Sequence, residues 1–508
     1  MNKKLLLPLL LAFLSGACSD DTPAPDSPQP ETPADSLGAP PTIAWDEPSA
    51  RFRINVGETL TLVPIVEGTD STSLFVWTLD DRVVSTQSHY SFVGVKAGEY
   101  FVHLSVSNRY GRTEDEAKIT VVEGAAAELP PLPEETRLWC FPWTEINVAL
   151  GRSLEVVAHL LQPLPADAHL SWTLDGTPAD AEAVSMTDGR LANYAFEASE
   201  QGTHTLTLTL AAADLSATQD FLIHVCPPPG TFRRPFEGEA LVNKVHAYVP
   251  APGHQVNGYI IVGDSYPENC THQQACDSVL AHFQRQWSVS LGSQGGYLVA
   301  GFDHSVRNSG GDYDLCVRGN PFSYQSEPGI IWVSQDDNGD GLPNDQWFEL
   351  AGSEYATGRH LTNYAITYYR PEAHKSATAW RDCLGQSGYV PYLSYWNPHD
   401  YYWQPWVEGD ARTYFGSRLD DRSTYAGGIS DIPPYDWGYV DNLGSDFIEG
   451  PCGKANYFRL STARTWDGRP AELEYIDFVR IQTAQIGSTP NLGDISTEVY
   501  FISDCHSK

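Results

Sequence analysis

Short runs in which apolar and polar residues alternate recur along most of the chain, and they predict β-strands that bury one face. Residues 102–106 and 206–210 are clear examples, with an apolar side chain at every second position. Gly, Pro, Asn and Asp separate the runs and predict turns between strands. Helical periodicity is weak, and the one helix it predicts spans residues 277–287. The pattern therefore predicts an all-β protein.

Two units in the first half of the chain share one pattern. The turn at Gly57 corresponds to a turn at Gly151, and the apolar run around Trp77 corresponds to one around Trp172. Each unit consists of short alternating runs separated by turn residues, which is typical of an antiparallel β-sandwich. Because such sandwiches place a tryptophan in the core, we expect both tryptophans to be buried.

These units predict tandem β-sandwich modules at residues 41–123 and 135–227. Both resemble the PKD-like and immunoglobulin-like modules of bacterial surface proteins, and the resemblance implies that they are spacers without chemistry. Cys140 and Cys226 lie near the first and last strands of the second module, where a disulfide bridge is expected.

A C-terminal domain is predicted at residues 232–508, after a proline-rich segment at 227–229. Tryptophan and cysteine become more frequent there than in the preceding modules. Apolar runs such as 297–302 and 475–481 predict strands of a larger, jelly-roll-like β-sandwich with long loops. We expect the function to reside in this domain.

An acidic, glycine-rich loop in this domain has the spacing of a calcium-binding loop. Oxygen-bearing side chains occupy positions 1, 3 and 5, a glycine follows at position 6, and Trp347 stands at position 12, where a Glu is expected. A structural Ca²⁺ is the expected occupant, and an acidic turn between two strands is the alternative. The candidate ligands are Asp336, Asn338, Asp340, Leu342 through its carbonyl, Asn344 and Asp345.

A second candidate site is an aromatic segment without a strand or helix period. Nine aromatic residues fall within the 24 positions from 392 to 415, mixed with Pro, Asn and Asp, and predict a long loop. Tyr and Trp present a flat apolar face with a polar edge, which suits sugars or a flat macrocycle. The alternative is a loop that folds back and buries its own aromatics. The candidate ligand-binding residues are Tyr395, Trp396, Asn397, His399, Tyr401, Tyr402, Trp403, Trp406 and Tyr414, with Trp437 and Tyr439 further along.

The remaining cysteines predict disulfides rather than a zinc site. Cys270 and Cys276 enclose five residues and are expected to close a local loop. Tight C-x-x-C spacing, which a zinc site needs, is absent. The last four cysteines can pair in three ways that the sequence does not resolve: Cys316, Cys383, Cys452 and Cys505.

The N-terminal segment has the features of an export signal. Lys3 and Lys4 precede an apolar run at 5–14, which is too short to span a bilayer, and Ser-Gly-Ala stands directly before Cys18. This arrangement resembles the lipobox of bacterial lipoproteins, which implies removal of residues 1–17 and acylation of Cys18. Residues 18–40 then predict a disordered tether. The acidic residues after Cys18 resemble a signal for exposure on the outer-membrane surface.

Charge and motifs narrow the functional classes. The formal charge of −34 becomes −36 when residues 1–17, with two lysines and no acid, are removed, which argues against nucleic acid or anionic lipid as partners. The membrane contact expected is therefore the lipid anchor alone. The sequence has no H-E-x-x-H, G-x-S-x-G or P-loop motif, so we expect a protein that is not an enzyme. A hydrolase with dispersed carboxylates stays open.

Several motifs of the C-terminal domain resemble one family of PKD-containing bacterial surface lipoproteins. They include Gly301-Phe302-Asp303-His304, Gly319-Asn320-Pro321-Phe322, Gln346-Trp347-Phe348-Glu349-Leu350 and Tyr435-Asp436-Trp437-Gly438-Tyr439. Similar proteins in cobalamin-uptake loci are thought to capture corrinoids for a TonB-dependent outer-membrane transporter. The resemblance implies that cobalamin is bound here as a ligand rather than a cofactor. A glycan-binding surface lipoprotein of a polysaccharide uptake system and an adhesion or scaffold protein are the alternatives.

Overall fold

The computed structural model describes most of the chain and confirms the all-β fold class. Cys18, the signal segment and nearly all of the predicted tether lie outside the described residues. Within the part that is described, no helix has both the length and the apolar character needed to cross a membrane. The described residues are 39–45, 50–55, 59–70, 72–80, 82–94, 96–122, 131–256, 270–373, 376–392, 403–426, 429–489 and 493–507.

The first module is a small β-sandwich built around Trp77. A five-stranded sheet has the order β2-β9-β8-β5-β6, and the pairs β1-β4 and β3-β7 complete the module. Trp77 is fully buried, as predicted, and its indole N–H donates to the Gln87 carbonyl (2.8 Å). The strands are β1 (Thr42–Ala44), β2 (Arg51–Asn55), β3 (Thr59–Leu62), β4 (Ile65–Glu67), β5 (Leu74–Leu79), β6 (Arg82–Ser85), β7 (Tyr90–Val93), β8 (Gly98–Asn108) and β9 (Gly111–Val122).

The second module repeats this plan with two larger sheets. Their orders are β10-β12-β16-β15 and β11-β18-β17-β13-β14, and Trp172 lies in the core between them, as predicted. β11 runs parallel to β18, just as β2 runs parallel to β9 in the first module. The strands are β10 (Trp139–Cys140), β11 (Glu145–Ala149), β12 (Ser153–Leu160), β13 (His169–Leu174), β14 (Thr177–Pro178), β15 (Val184–Thr187), β16 (Leu191–Glu197), β17 (Gly202–Ala211) and β18 (Ser216–Cys226); a 3-10 turn spans Ala181–Ala183.

The C-terminal domain is built on a six-stranded sheet in the order β19-β21-β34-β23-β24-β33. Its strands are β19 (Lys244–Val249), β20 (Val289–Ser290), β21 (Tyr297–Arg307), β22 (Leu315–Arg318), β23 (Gly329–Ser334), β24 (Trp347–Leu350), β25 (His360–Tyr369), β26 (Thr378–Asp382), β27 (Ser387–Val390), β28 (Ala411–Leu419), β29 (Thr424–Ala426), β30 (Ile429–Asp431), β31 (Phe447–Gly450), β32 (Gly453–Phe458), β33 (Ala463–Arg464), β34 (Tyr475–Thr483), β35 (Ser488–Thr489), β36 (Gly493–Asp494), β37 (Glu498–Val499) and β38 (Phe501–Asp504). A 3-10 turn spans Leu460–Thr462.

Both faces of the six-stranded sheet are covered. Ile331 and Val333 point into a core shared with the four-stranded sheet β31-β32-β22-β38. On the other face, Tyr297 and Val249 pack against the four-stranded sheet β27-β26-β25-β28. Because strand side chains alternate between faces, Ile331 and Val333 face the first core, whereas Ile330 and Trp332 face a further core on the opposite side.

One α-helix, α1 (His272–Gln284), packs on the six-stranded sheet. It begins five residues before the predicted start because Thr271 forms a capping box with Gln274: the Thr271 hydroxyl accepts from the Gln274 N–H, and the Gln274 side chain accepts from the Thr271 N–H. The apolar stripe includes Val279 and Phe283, which face the core.

The second module packs directly on the C-terminal domain. The Asn363 amide donates to Glu155 Oε2 (2.9 Å), and the His159 ring lies 5.4 Å from the Phe415 ring between centroids. His159 is buried, and burial lowers its pKa to about 4 from an ordinary value of 6.5. This histidine is therefore neutral in the folded protein at pH 7.

Trp77 and Leu74 lie on the same strand and differ in burial, so they form a matched pair. Replacing the fully buried Trp77 with Ala is expected to destabilise the first module by about 3–5 kcal/mol, because it leaves a cavity. Leu74→Ala, at a side chain 65% exposed, is expected to change stability by less than about 0.5 kcal/mol. Scanning calorimetry measures both, and equal effects would contradict the core assignment.

His159 predicts a loss of stability in mild acid. The unfolded chain binds a proton near pH 6.5 and the folded one only near pH 4, so stability falls as pH drops below 6.5. Lowering the pH from about 7.5 to about 5 should reduce the free energy of unfolding by about 2 kcal/mol through this one histidine. Urea unfolding of His159→Gln should lack this part of the pH dependence. The control His169→Gln, at an exposed site, should retain it.

Candidate functional site

The structure does not bring the predicted aromatic residues together. Tyr395, Trp396, Asn397, His399, Tyr401 and Tyr402 lie outside the described residues. Trp403 and Tyr414 are buried in the core beneath the sheet β27-β26-β25-β28, with Trp406 packed against it. Tyr439 is buried in a separate core. For Trp403, Tyr414 and Tyr439 the prediction of ligand contact is corrected, because buried side chains have no surface to offer.

Trp437 is the described member of the set that faces solvent, with 38% of its surface exposed. It lines a cleft of about 260 Å³ on the C-terminal domain. Other residues around the cleft are Tyr313, Ser445, Asp446, Tyr457, Phe458 and Arg459. Sequence spacing could not identify this set, because Tyr313 lies more than a hundred positions from the other residues and meets them only through the pairing of β22 with β32.

A rigid turn holds Trp437 at the cleft. Gly438 has a φ of +92°, which side-chain-bearing residues rarely adopt, and an added Cβ would collide with Gly352. The Gly438 N–H donates to Asp446 Oδ2 (2.7 Å), and the Ser445 N–H donates to the Asp436 carbonyl (2.6 Å). The backbone that carries the exposed indole is therefore held in a defined turn.

The cleft combines aromatic faces with polar groups. The Arg459 guanidinium lies 4.1 Å from the centre of the Tyr313 ring, and its Nε donates to the Gly311 carbonyl (2.9 Å). Burial raises the pKa of Asp446 to about 6, partly offset by hydrogen bonds from Gly438 and Asn456. Such a surface stacks a flat ring and hydrogen-bonds its edge.

A larger and more open groove of about 510 Å³ lies on the first module. Its lining includes Thr78, His103, Glu114 and Glu116, and the residues that line it include no Trp, Tyr or Phe. It offers hydrogen bonds and charge but no stacking surface.

The acidic loop connects β23 to β24, and its backbone wraps inward as the sequence spacing predicts. The Gly341 N–H donates to Asp336 Oδ2 (3.0 Å), the Asp340 N–H to Asn338 Oδ1 (2.9 Å) and the Leu342 N–H to Asp340 Oδ1 (2.7 Å). The Asn344 amide reaches Asp340 Oδ2 (3.0 Å). Five of the six candidate ligands thus belong to one hydrogen-bonded loop.

The sixth candidate, Asp345, is the most deeply buried. Only 1% of its surface is exposed, and neither carboxylate oxygen makes a hydrogen bond of ordinary geometry to a described residue. Burial, with the charges of Asp337 and Asp336, raises its pKa to about 9, although the nearby Asp337 backbone opposes the rise. Burial also raises the pKa of Asp337, to about 6.

The predicted bridges Cys140–Cys226 and Cys270–Cys276 are not formed, since the eight described cysteines are free thiols. The Cys226 thiol faces Asn147 Oδ1 (3.9 Å), and the Cys276 thiol faces His272 Nε2 (3.6 Å). Burial raises the pKa of the Cys140 thiol to about 12, and the nearby Cys383 adds to the rise.

Three other cysteines form a cluster. The sulfur atoms of Cys316, Cys452 and Cys505 all lie within 4.8 Å of one another. Cys316 lies within β22, Cys452 directly precedes β32 and Cys505 directly follows β38. Cys383 stands apart from this cluster. The structure therefore groups the four cysteines as three plus one, which none of the sequence pairings anticipated.

Comparisons with known proteins identify one module. A family model described as a PKD-like domain matches residues 40–108, so this part of the chain is a PKD-like domain. No curated protein matches the sequence.

Among solved structures, the titin domains Z1Z2 in complex with telethonin are 15% identical and cover 37% of this chain and 97% of their own, with a TM-score of 0.16. The titin I-band fragment I67–I69 is 17% identical and covers 41% of this chain and 73% of its own, with a TM-score of 0.16. The Ig1-2 module of the Drosophila receptor protein tyrosine phosphatase DLAR is 17% identical and covers 37% of this chain and 98% of its own, with a TM-score of 0.14. Scores this low do not bear on the fold, which rests on the strand pairings described above.

Proposed function

We propose that this chain is a lipid-anchored surface protein whose C-terminal domain captures a corrinoid and passes it to a TonB-dependent outer-membrane transporter. The observation that carries the binding role is the cleft beside the exposed, rigidly held Trp437. The corrinoid and the transporter come from the sequence resemblance of the C-terminal domain, and the surface location comes from the lipobox at Cys18.

The cleft fits a part of a corrinoid rather than the whole. Pockets that enclose drug-sized ligands measure about 300–1,000 Å³, and a corrinoid is larger than most such ligands. A cleft of about 260 Å³ therefore takes one flat or amide-bearing portion of the macrocycle, stacked on Trp437. The aromatic residues at 395–402 stay candidate contacts on the evidence of the sequence alone.

Glycan binding is the second candidate, and the size of the cleft favours it. A single sugar ring needs only a small pocket, a flat indole face and nearby hydrogen-bonding groups. Trp437 supplies the face, while Ser445 and Asp446 supply the polar groups. The same anchored architecture would then serve a polysaccharide uptake system.

The two modules and the tether are proposed to hold the C-terminal domain away from the membrane. The groove on the first module has no stacking residue, which agrees with a spacer role. The strongly negative chain would contact the membrane only through lipid at Cys18 and would not bind nucleic acid. The chain binds its ligand without converting it.

Co-elution tests the proposal. Purified residues 19–508 are mixed with cyanocobalamin in the tens of micromolar range and separated by gel filtration, recording protein and corrin absorbance. We expect corrin absorbance in the protein peak. Trp437→Ala should weaken binding by about tenfold because it removes a stacking surface. The matched control Trp287→Ala, at a tryptophan 55% exposed outside the cleft, should bind as the unmodified chain does.

Cobalamin that elutes entirely apart from the protein would overturn the corrinoid proposal. Retardation of the same protein in polysaccharide affinity gels, lost in Trp437→Ala, would then support the glycan alternative. Binding to cells or to an outer-membrane protein without either ligand would indicate adhesion, and release of reducing sugar would indicate a hydrolase.

A further inference from the structure

The acidic loop between β23 and β24 lies where the second module meets the C-terminal domain. The Asn147 backbone N–H and side-chain amide both donate to the Asn344 carbonyl (3.1 and 3.2 Å). The Gln346 amide donates to the Ser153 carbonyl (2.7 Å). Strand β11, which carries Asn147, thus aligns parallel to the loop at Asp345.

The charges at this junction do not cancel. Arg152 of the second module donates to Asp337 Oδ2 (2.7 Å), and Arg234 pairs with Asp477 Oδ1 (3.0 Å). Three further carboxylates belong to the same loop, and they have no guanidinium partner among the described ion pairs. They are Asp336, Asp340 and Asp345.

Several oxygens at the junction also lack hydrogen bonds. Neither carboxyl oxygen of Asp345 has a hydrogen-bond partner among the described residues. The same holds for Asp336 Oδ1 and Gln346 Oε1. All three residues are at least nine-tenths buried. Buried carboxyl oxygens without a partner are unfavourable, so this arrangement calls for a cation that binds oxygen.

We propose that the loop binds one Ca²⁺ ion and that this ion fastens the second module to the C-terminal domain. The ligands are the side-chain oxygens of Asp336, Asn338, Asp340 and Asp345 with the Leu342 carbonyl. All are hard oxygen donors, with no histidine or cysteine, which selects Ca²⁺ over transition metals. Calcium-binding loops usually carry a Glu at position 12, where this chain has Trp347. Asp345, two positions earlier, supplies the carboxylate instead.

The ion would act on both domains at once. Asp345 and Asn344 are adjacent, and the Asn344 carbonyl is the atom that Asn147 binds twice. Ordering the loop around an ion fixes that carbonyl. It also fixes the Asp337 carboxylate, which accepts from Arg152. Without the ion, the buried oxygens that lack hydrogen bonds would be solvated only if the loop opened, and opening would release both contacts. The junction would then depend on calcium, independently of any ligand in the Trp437 cleft.

Calcium binding is tested on purified residues 19–508 after dialysis against EGTA. Titration with CaCl2 in a calorimeter should give one site per chain, with Mg²⁺ binding much more weakly. Asp345→Asn should weaken the affinity for Ca²⁺ at least about tenfold. Asp340→Asn, at an exposed ligand where folding is not at risk, should do the same. The control Asp312→Asn removes an equal charge from an exposed turn and should leave the affinity unchanged.

Scanning calorimetry tests the fastening. With Ca²⁺ the second module and the C-terminal domain should unfold in one transition. In EGTA, and in Asp340→Asn, the second module should unfold earlier in a separate transition. Failure of the folded chain to bind Ca²⁺ would overturn the proposal. Binding that leaves the unfolding transitions unchanged would equally overturn the fastening role.

Discussion

Burial of the six-stranded sheet on both faces is the constraint on which the C-terminal domain depends. Ile331 and Val333 fill one core, while Ile330 and Trp332 fill another on the opposite side. A one-residue slip of β23 would exchange these faces and disrupt both cores, so the register of this strand is fixed. The acidic loop leaves directly from the end of β23. The register of β23 therefore sets the point at which this loop begins beside the second module.

Local patterns in the sequence predicted the strands and the two buried tryptophans correctly, because alternation and turn residues act over a few positions. The helix was predicted in the right region but began earlier, since the capping box at Thr271 outweighs the apolar spacing. The aromatic segment could not be interpreted from sequence. Whether Trp403 and Tyr414 face a ligand or a core depends on packing against β19 and β21, more than a hundred residues away.

The acidic loop shows the same division between local and distant information. Spacing alone identified its oxygen-bearing side chains and Asp345. It did not identify Asp477, Arg152 or Asn147, which reach the loop from other strands and from another domain. In the same way, sequence separation gave no indication that Cys316, Cys452 and Cys505 would cluster, because only the pairing of β22 with two distant strands brings them together.

The parallel pairing of β11 with β18 has a mechanical consequence. β11 follows the short first strand β10 near the start of the second module, β18 is the last strand of the module, and five residue pairs hold β11 and β18 side by side. Tension that pulls the two ends apart acts along both strands in opposite directions. It loads the hydrogen bonds between them together, in shear, rather than opening them one after another. A module connected in this way resists extension when the chain is pulled from both sides of it.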